Sequence, residues 1–112
     1  MNNIDNLTFG DIVIADLPFS DGSRTKIRPV LILAKDKYDY LVMKISSVIE
    51  KQDVLDILID SDDENKLLEK SVFKIKKIWH FSKEILWKKI GKLSLQDSKE
   101  IKSTLVKFVQ SF

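Results

Sequence analysis

Residues 22–33, GSRTKIRPVLIL, set Arg24, Lys26 and Arg28 at every second position ahead of Pro29. An arginine presents forked donors that can hold two oxygens of a phosphate or carboxylate, so this run is suited to an anionic substrate. Its high pKa makes Arg28 a poor general base, leaving electrostatic stabilisation as its first role and proton donation as its second. The alternative is structural, an ion pair from Arg28 to Asp11 or Asp16. His80 is the only histidine, and the only side chain type here whose unperturbed pKa lies near neutrality. A lone histidine cannot build a multi-histidine metal site. With no cysteine there is no disulfide, thiolate nucleophile or thiolate metal site. Chemistry without metal or cofactor, or none at all, is the expectation.

The formal charge of +2 hides an uneven distribution. Before Arg24 the only charges are Asp5, Asp11, Asp16 and Asp21. Residues 50–69 hold eight acids against Lys51 and Lys66, whereas residues 74–92 hold seven lysines against Glu84. If the two basic stretches share a face, that face carries a field suited to phosphates, with the acidic segment elsewhere. Ordinary solvated lysines are the plainer reading.

These residues need a scaffold. At 112 residues and 44% hydrophobic, the chain matches one domain with one core, spanning 1–112. No apolar run is long enough to cross a bilayer, and MNNIDNLTFGD carries acids where a signal peptide would be basic, so the expected location is cytoplasmic. Alternation predicts strands over 9–17, 27–34, 40–48 and 54–59, and again from Ser71 to His80. PFSDGSRTK has the residues of an exposed loop. Within SVFKIKKIWH, Trp79 shares parity with Phe73 and Ile75, which favours a core position over stacking on an unpaired base. Ser82 is placed to cap a short helix, Trp87 to Leu93 reads as a last strand, and Ser94 opens a terminal helix. Ile101, Leu105, Phe108 and Phe112 would be its apolar stripe. The pattern predicts a mostly β fold, an SH3-like barrel of five to seven short antiparallel strands with an amphipathic C-terminal helix.

Taken in order, Gly10-Asp11, Gly22-Ser23, Arg28-Pro29, the VMKISSV strand and Ile90-Gly91-Lys92-Leu93 resemble the signature of the MazF/PemK toxin family. The resemblance covers nearly the whole chain. It implies a homodimeric barrel that acts as the toxin of a toxin-antitoxin system and cleaves single-stranded RNA without metal. It also implies neutralisation by a cognate antitoxin protein, with no membrane association and no DNA binding by this chain alone. By position it makes Arg28 and Ser46 the catalytic pair, and it lays the Gly-Ser loop over RNA, which points to Ser23, Arg24 and Lys26 as RNA-binding residues. Ser47, Lys77, Trp79 and His80 complete the RNA-binding candidates. The family often has an Arg-Thr or Ala-Thr pair where this chain has Trp79-His80, a departure that bears on substrate preference. Cleavage would proceed by attack of the 2′-OH on the adjacent phosphorus, leaving a 2′,3′-cyclic phosphate. The base is unassigned, with His80 the candidate of suitable pKa. The rival reading is a non-catalytic or protein-targeting barrel, gyrase-directed or a relative that only binds RNA or antitoxin.

Overall fold

The short β-branched runs form six strands in a computed structural model that describes Ile4 and residues 6–18 and 25–112. β1 is Asp11–Pro18, β2 Thr25–Asp36, β3 Asp39–Ser46, β4 Ile57–Ile59, β5 Ser71–Ser82 and β6 Leu86–Lys92, followed by helix α1, Leu95–Gln110. They make one antiparallel sheet in the order β4-β5-β3-β2-β1-β6, the expected mostly β fold with a C-terminal helix.

Successive side chains of a strand point to opposite faces, and here both faces are covered. Ile12, Leu31, Met43, Ile45, Phe73 and Ile75 are buried in one cluster with Ile101 of α1. Val13, Ala15, Val30, Ile32, Tyr40 and Val42 alternate with them into a second cluster, closed by Leu7 and Leu86. The Tyr40 hydroxyl accepts from the Leu7 N–H at 3.4 Å, which ties the N-terminal segment to the sheet.

Three local features position the site. Ser94 caps α1, its hydroxyl accepting from the Asp97 N–H at 3.1 Å. Leu105 and Phe108 pack on the core beside Ile101, but Phe112 lies past the last turn and is 88% exposed, so the stripe stops a turn earlier than its spacing predicts. The fourth strand begins at Ile57, three residues later than the apolar pattern suggests. Leu55 has φ of 74°, outside strand geometry, and Val54 is 72% exposed. The β3–β5 ladder pairs Met43 with Ile78 and then Ile45 with Phe73, so residues 74–77 all lie opposite Lys44 in a wide bulge. Trp79 emerges opposite Val42, on the face away from Phe73. It packs at the margin of the second cluster and stacks on Phe81 at 5.3 Å.

Candidate active site

Proline removes a ladder donor, and the sheet accommodates Pro29 where one neighbour is missing. β1 pairs with β2 through Ala15–Arg28 and Ile14–Pro29, but the β2–β3 ladder begins only at Val30–Lys44. Arg28 therefore stands where β2 and β3 part, three residues into its strand instead of at the strand entrance. It is exposed, and its Nη1 donates to the Ile27 carbonyl at 3.3 Å. Among the described residues it forms no ion pair. Asp11, one of the acids the structural alternative needed, instead holds Lys89 at 3.0 Å.

Beside Arg28 the parting opens a cleft of about 150 Å³, lined by Ile14, Pro29, Ile45, Ser47, Leu67, Leu68, Ser71 and Ile90 among others. Its far wall is the loop after β4, organised by buried Asn65. The Asn65 side chain accepts from the N–H groups of Asp62 and Leu67, at 3.1 and 3.0 Å, and donates to the Asp60 carbonyl at 3.0 Å. Gly91 lets this loop lie against β6. A Cβ there would stand 2.3 Å from the Asn65 carbonyl oxygen, and the adjacent Lys92 N–H donates to Glu64 O at 2.9 Å. The Ile-Gly-Lys-Leu step thus sets the cleft width through backbone contact.

Ser46 and Ser47 diverge. Ser47 lines the cleft with Arg28, whereas Ser46 lines a second, more open groove of about 510 Å³ shared with Lys44, Lys51, Gln52, Asp53, Lys74 and Lys77. The two serines are consecutive in the chain, so the pair forms the partition between cleft and groove. The Ser46 hydroxyl accepts from the Val48 N–H at 3.1 Å and keeps its own proton for another acceptor.

The acidic and basic stretches do not lie apart, which differs from the arrangement expected if the basic stretches shared a face free of acids. Asp56 takes Lys74 at 2.6 Å in a buried pair, and Asp53 takes Lys76 at 3.1 Å. The carboxyl of Asp53 is held below its ordinary pKa by a hydrogen bond from the Val54 N–H and by Lys76. Lys44, Lys51 and Lys77 make none of the ion pairs among the described residues. Lys44 has its pKa lowered by burial first and then by the charges of Lys77, Lys74 and Lys51. Sequence reasoning passed over Lys44 and Lys51. The available signal was a lysine interrupting the apolar strand LVMKIS two residues before Ser46.

The other candidates divide. Lys26 is exposed at the start of β2, two residues before Arg28 and of the same strand parity. Lys77 joins the lysine groove. Ser23 and Arg24 lie outside the described residues. His80 is at the other end of the sheet, opposite Leu41, with Nε2 at 3.0 Å from Asp36 Oδ2 and Nδ1 at 3.6 Å from Asp39 Oδ2. Five strand positions, roughly 17 Å, separate Leu41 from Ser46, so His80 and Trp79 are not brought to Arg28. The assembled groups can bind phosphate oxygens through Arg28 and hydrogen-bond to them through serine.

A sequence model described as the PemK-like, MazF-like toxin of a type II toxin-antitoxin system matches residues 8–109. No curated protein sequence is significantly similar. Among solved structures, an endoribonuclease in complex with its cognate antitoxin from a mycobacterial species superposes with a TM-score of 0.73 at 14% identity, covering 93% of this chain and 95% of that one. Mycobacterium tuberculosis toxin MazF-mt6 gives 0.67 at 18% identity, over 88% and 96% of the two chains. At such identities these likenesses concern the fold. No helix among the described residues is long and apolar enough to cross a membrane.

Proposed function

Since the chain belongs to the PemK-like, MazF-like toxin family of type II toxin-antitoxin systems, we propose that it is a metal-independent endoribonuclease that cleaves single-stranded RNA. The observation that carries this reading is Arg28, an exposed arginine without a carboxylate partner among the described residues, beside a cleft edged by Ser47 and partitioned by Ser46. The endoribonuclease activity named for one structural relative supports it. In this reading the 2′-OH attacks the adjacent phosphorus, the P–O5′ bond breaks, and the products are a 2′,3′-cyclic phosphate and a 5′-hydroxyl. Arg28 holds the non-bridging oxygens as their charge grows, and Ser46 or Ser47 donates to one of them. Lys26 and Lys77 attract the backbone on either side. His80 lies too far along the sheet to be the base, so the proton of the 2′-OH passes to another group or to water, and the departing O5′ takes a proton from Arg28 or from water. One toxin domain over 1–112 acts in the cytoplasm as a homodimer, and a cognate antitoxin neutralises it, as the complex of the mycobacterial relative suggests.

The test is cleavage of a long single-stranded RNA in EDTA by the wild type and by Arg28→Ala, with circular dichroism confirming equal folding. The expected outcome is cutting with cyclic phosphate ends, slowed roughly 100-fold or more in the variant. Intact RNA with both proteins, total cellular RNA included, would instead favour a protein-targeting toxin.

A further inference from the structure

We infer that the lysine groove beside Ser46 is a second phosphate site, which holds a backbone phosphate of the RNA next to the one at Arg28. The inference rests on the RNA-cleaving reading above and adds a subsite to it. Three observations converge. The groove adjoins the Arg28 cleft, because Ser46 lines one and Ser47, the next residue, lines the other. Consecutive Cα atoms are only about 3.8 Å apart, so a strand leaving the cleft over this partition enters the groove.

The charge in the groove is also sorted. Lys74 and Lys76 are matched by Asp56 and Asp53, at 2.6 and 3.1 Å, and Lys74 also donates to the Lys51 carbonyl at 3.0 Å. Those contacts tie the β5 bulge to the segment after β3, and Lys44, Lys51 and Lys77 line the groove with no carboxylate of their own among the described residues. Like charges gathered without a partner cost stability, and a polyanion is the ligand that relieves them.

Lys44 in particular has a reason to be elsewhere. It sits in a central strand between Met43 and Ile45, both buried, and is itself half-buried among other cations. A neutral side chain would suit the fold better there. An arriving phosphate supplies the missing charge, and the free hydroxyl proton of Ser46 gives it one directional donor.

The experiment measures binding of a single-stranded RNA oligonucleotide with 2′-O-methyl riboses, which cannot be cleaved, over a range of salt concentrations. Wild type is compared with Lys44→Gln, Lys77→Gln and, as a control at the hairpin end, Lys35→Gln. Each groove variant should weaken binding roughly fivefold. The double variant Lys44→Gln/Lys77→Gln should lower the slope of log Kd against log salt by about 0.7, the contribution of one phosphate on a single strand. Lys35→Gln should change neither. The Tm of Lys44→Gln should equal or exceed that of the wild type, whereas a merely structural lysine would lose stability on replacement. If the wild type binds RNA and the groove variants bind it equally well with the same slope, the second site is overturned and the nuclease reading stands. If the wild type binds no RNA, both fall. If the variants keep RNA but lose affinity for a polyglutamate peptide, the groove is a protein-docking surface and the inference fails.

Discussion

At the hairpin end of β3, the only histidine sits between two carboxylates, Asp36 at 3.0 Å and Asp39 at 3.6 Å, on an exposed and locally satisfied surface. At the other end of the same strand, Arg28, Lys44, Lys51 and Lys77 have no carboxylate partner among the described residues, although the acid-rich segment 50–69 is close enough to have matched them. Its Asp53 and Asp56 go instead to Lys76 and Lys74, which anchor the bulge. Charge compensation thus separates the cations paired with acids of the fold from those without a carboxylate partner among the described residues. A residue type is a weak guide here: the one histidine is occupied at the other end, and the lysines nearest the serines have no carboxylate partner among the described residues.

Apart from the proposed activity, where Arg28→Ala is expected to have the largest effect, the contrast can be broken most severely at Asp56. Its side chain is 2% exposed and that of Lys74 12%, so Asp56→Ala strands a buried ammonium and also removes the acceptor of the Asp53 N–H. Chemical denaturation should show a loss of about 3 kcal/mol, and RNA binding should weaken as the bulge loosens. If Asp56→Ala were as stable as the wild type, Lys74 would belong with the unmatched cations and the division would dissolve.

A smaller and opposite effect comes from Lys44. Its folded-state pKa is below the unfolded value of 10.5, because of burial and of Lys77, Lys74 and Lys51. Between the two pKa values the unfolded chain binds more protons, so this residue destabilises the native state when charged, and stability should rise as pH climbs through that window. Asp53, the carboxylate on the groove wall, remains ionised throughout. Comparing wild type with Lys44→Met from pH 7 to pH 10.5 isolates the effect: the gain with pH should shrink in the variant, and the variant should be the more stable at pH 7. The smallest change is expected from His80→Gln, with cleavage unaltered and stability within about 0.5 kcal/mol, since an exposed pair contributes little. A large loss of cleavage would mean that the hairpin end takes part in the chemistry after all.

The elements set by local signals were legible in the sequence. Alternation around Ile12 and Val13 marked a strand buried on both faces, and Ser94 with Asp97 marked the start of the helix. Arg28 was legible from its neighbour, since Pro29 required a place where the ladder was open. What escaped was set by distant residues. The parity that assigned Trp79 to the core with Phe73 runs correctly to Ile75 and is then reset by a bulge whose register depends on β3. Lys44 became conspicuous only when Lys51 and Lys77, from two other segments, were brought beside it. The pairing of Asp56 with Lys74 likewise depends on how β4 and β5 meet, which no spacing within either segment encodes.

The β5 bulge also has an evolutionary consequence. Register is fixed on one side by Ile45–Phe73 and Ser46–Val72, and on the other by Met43–Ile78 and Val42–Trp79. Lys76 and Lys77 lie between these clamps and are exposed. Lys76 is held by Asp53, but replacing Lys77 leaves both ladders and that ion pair in place, so this position can change while the sheet stays constant. The charge of the groove can therefore change within the interior of one strand, with no alteration to loop length or core.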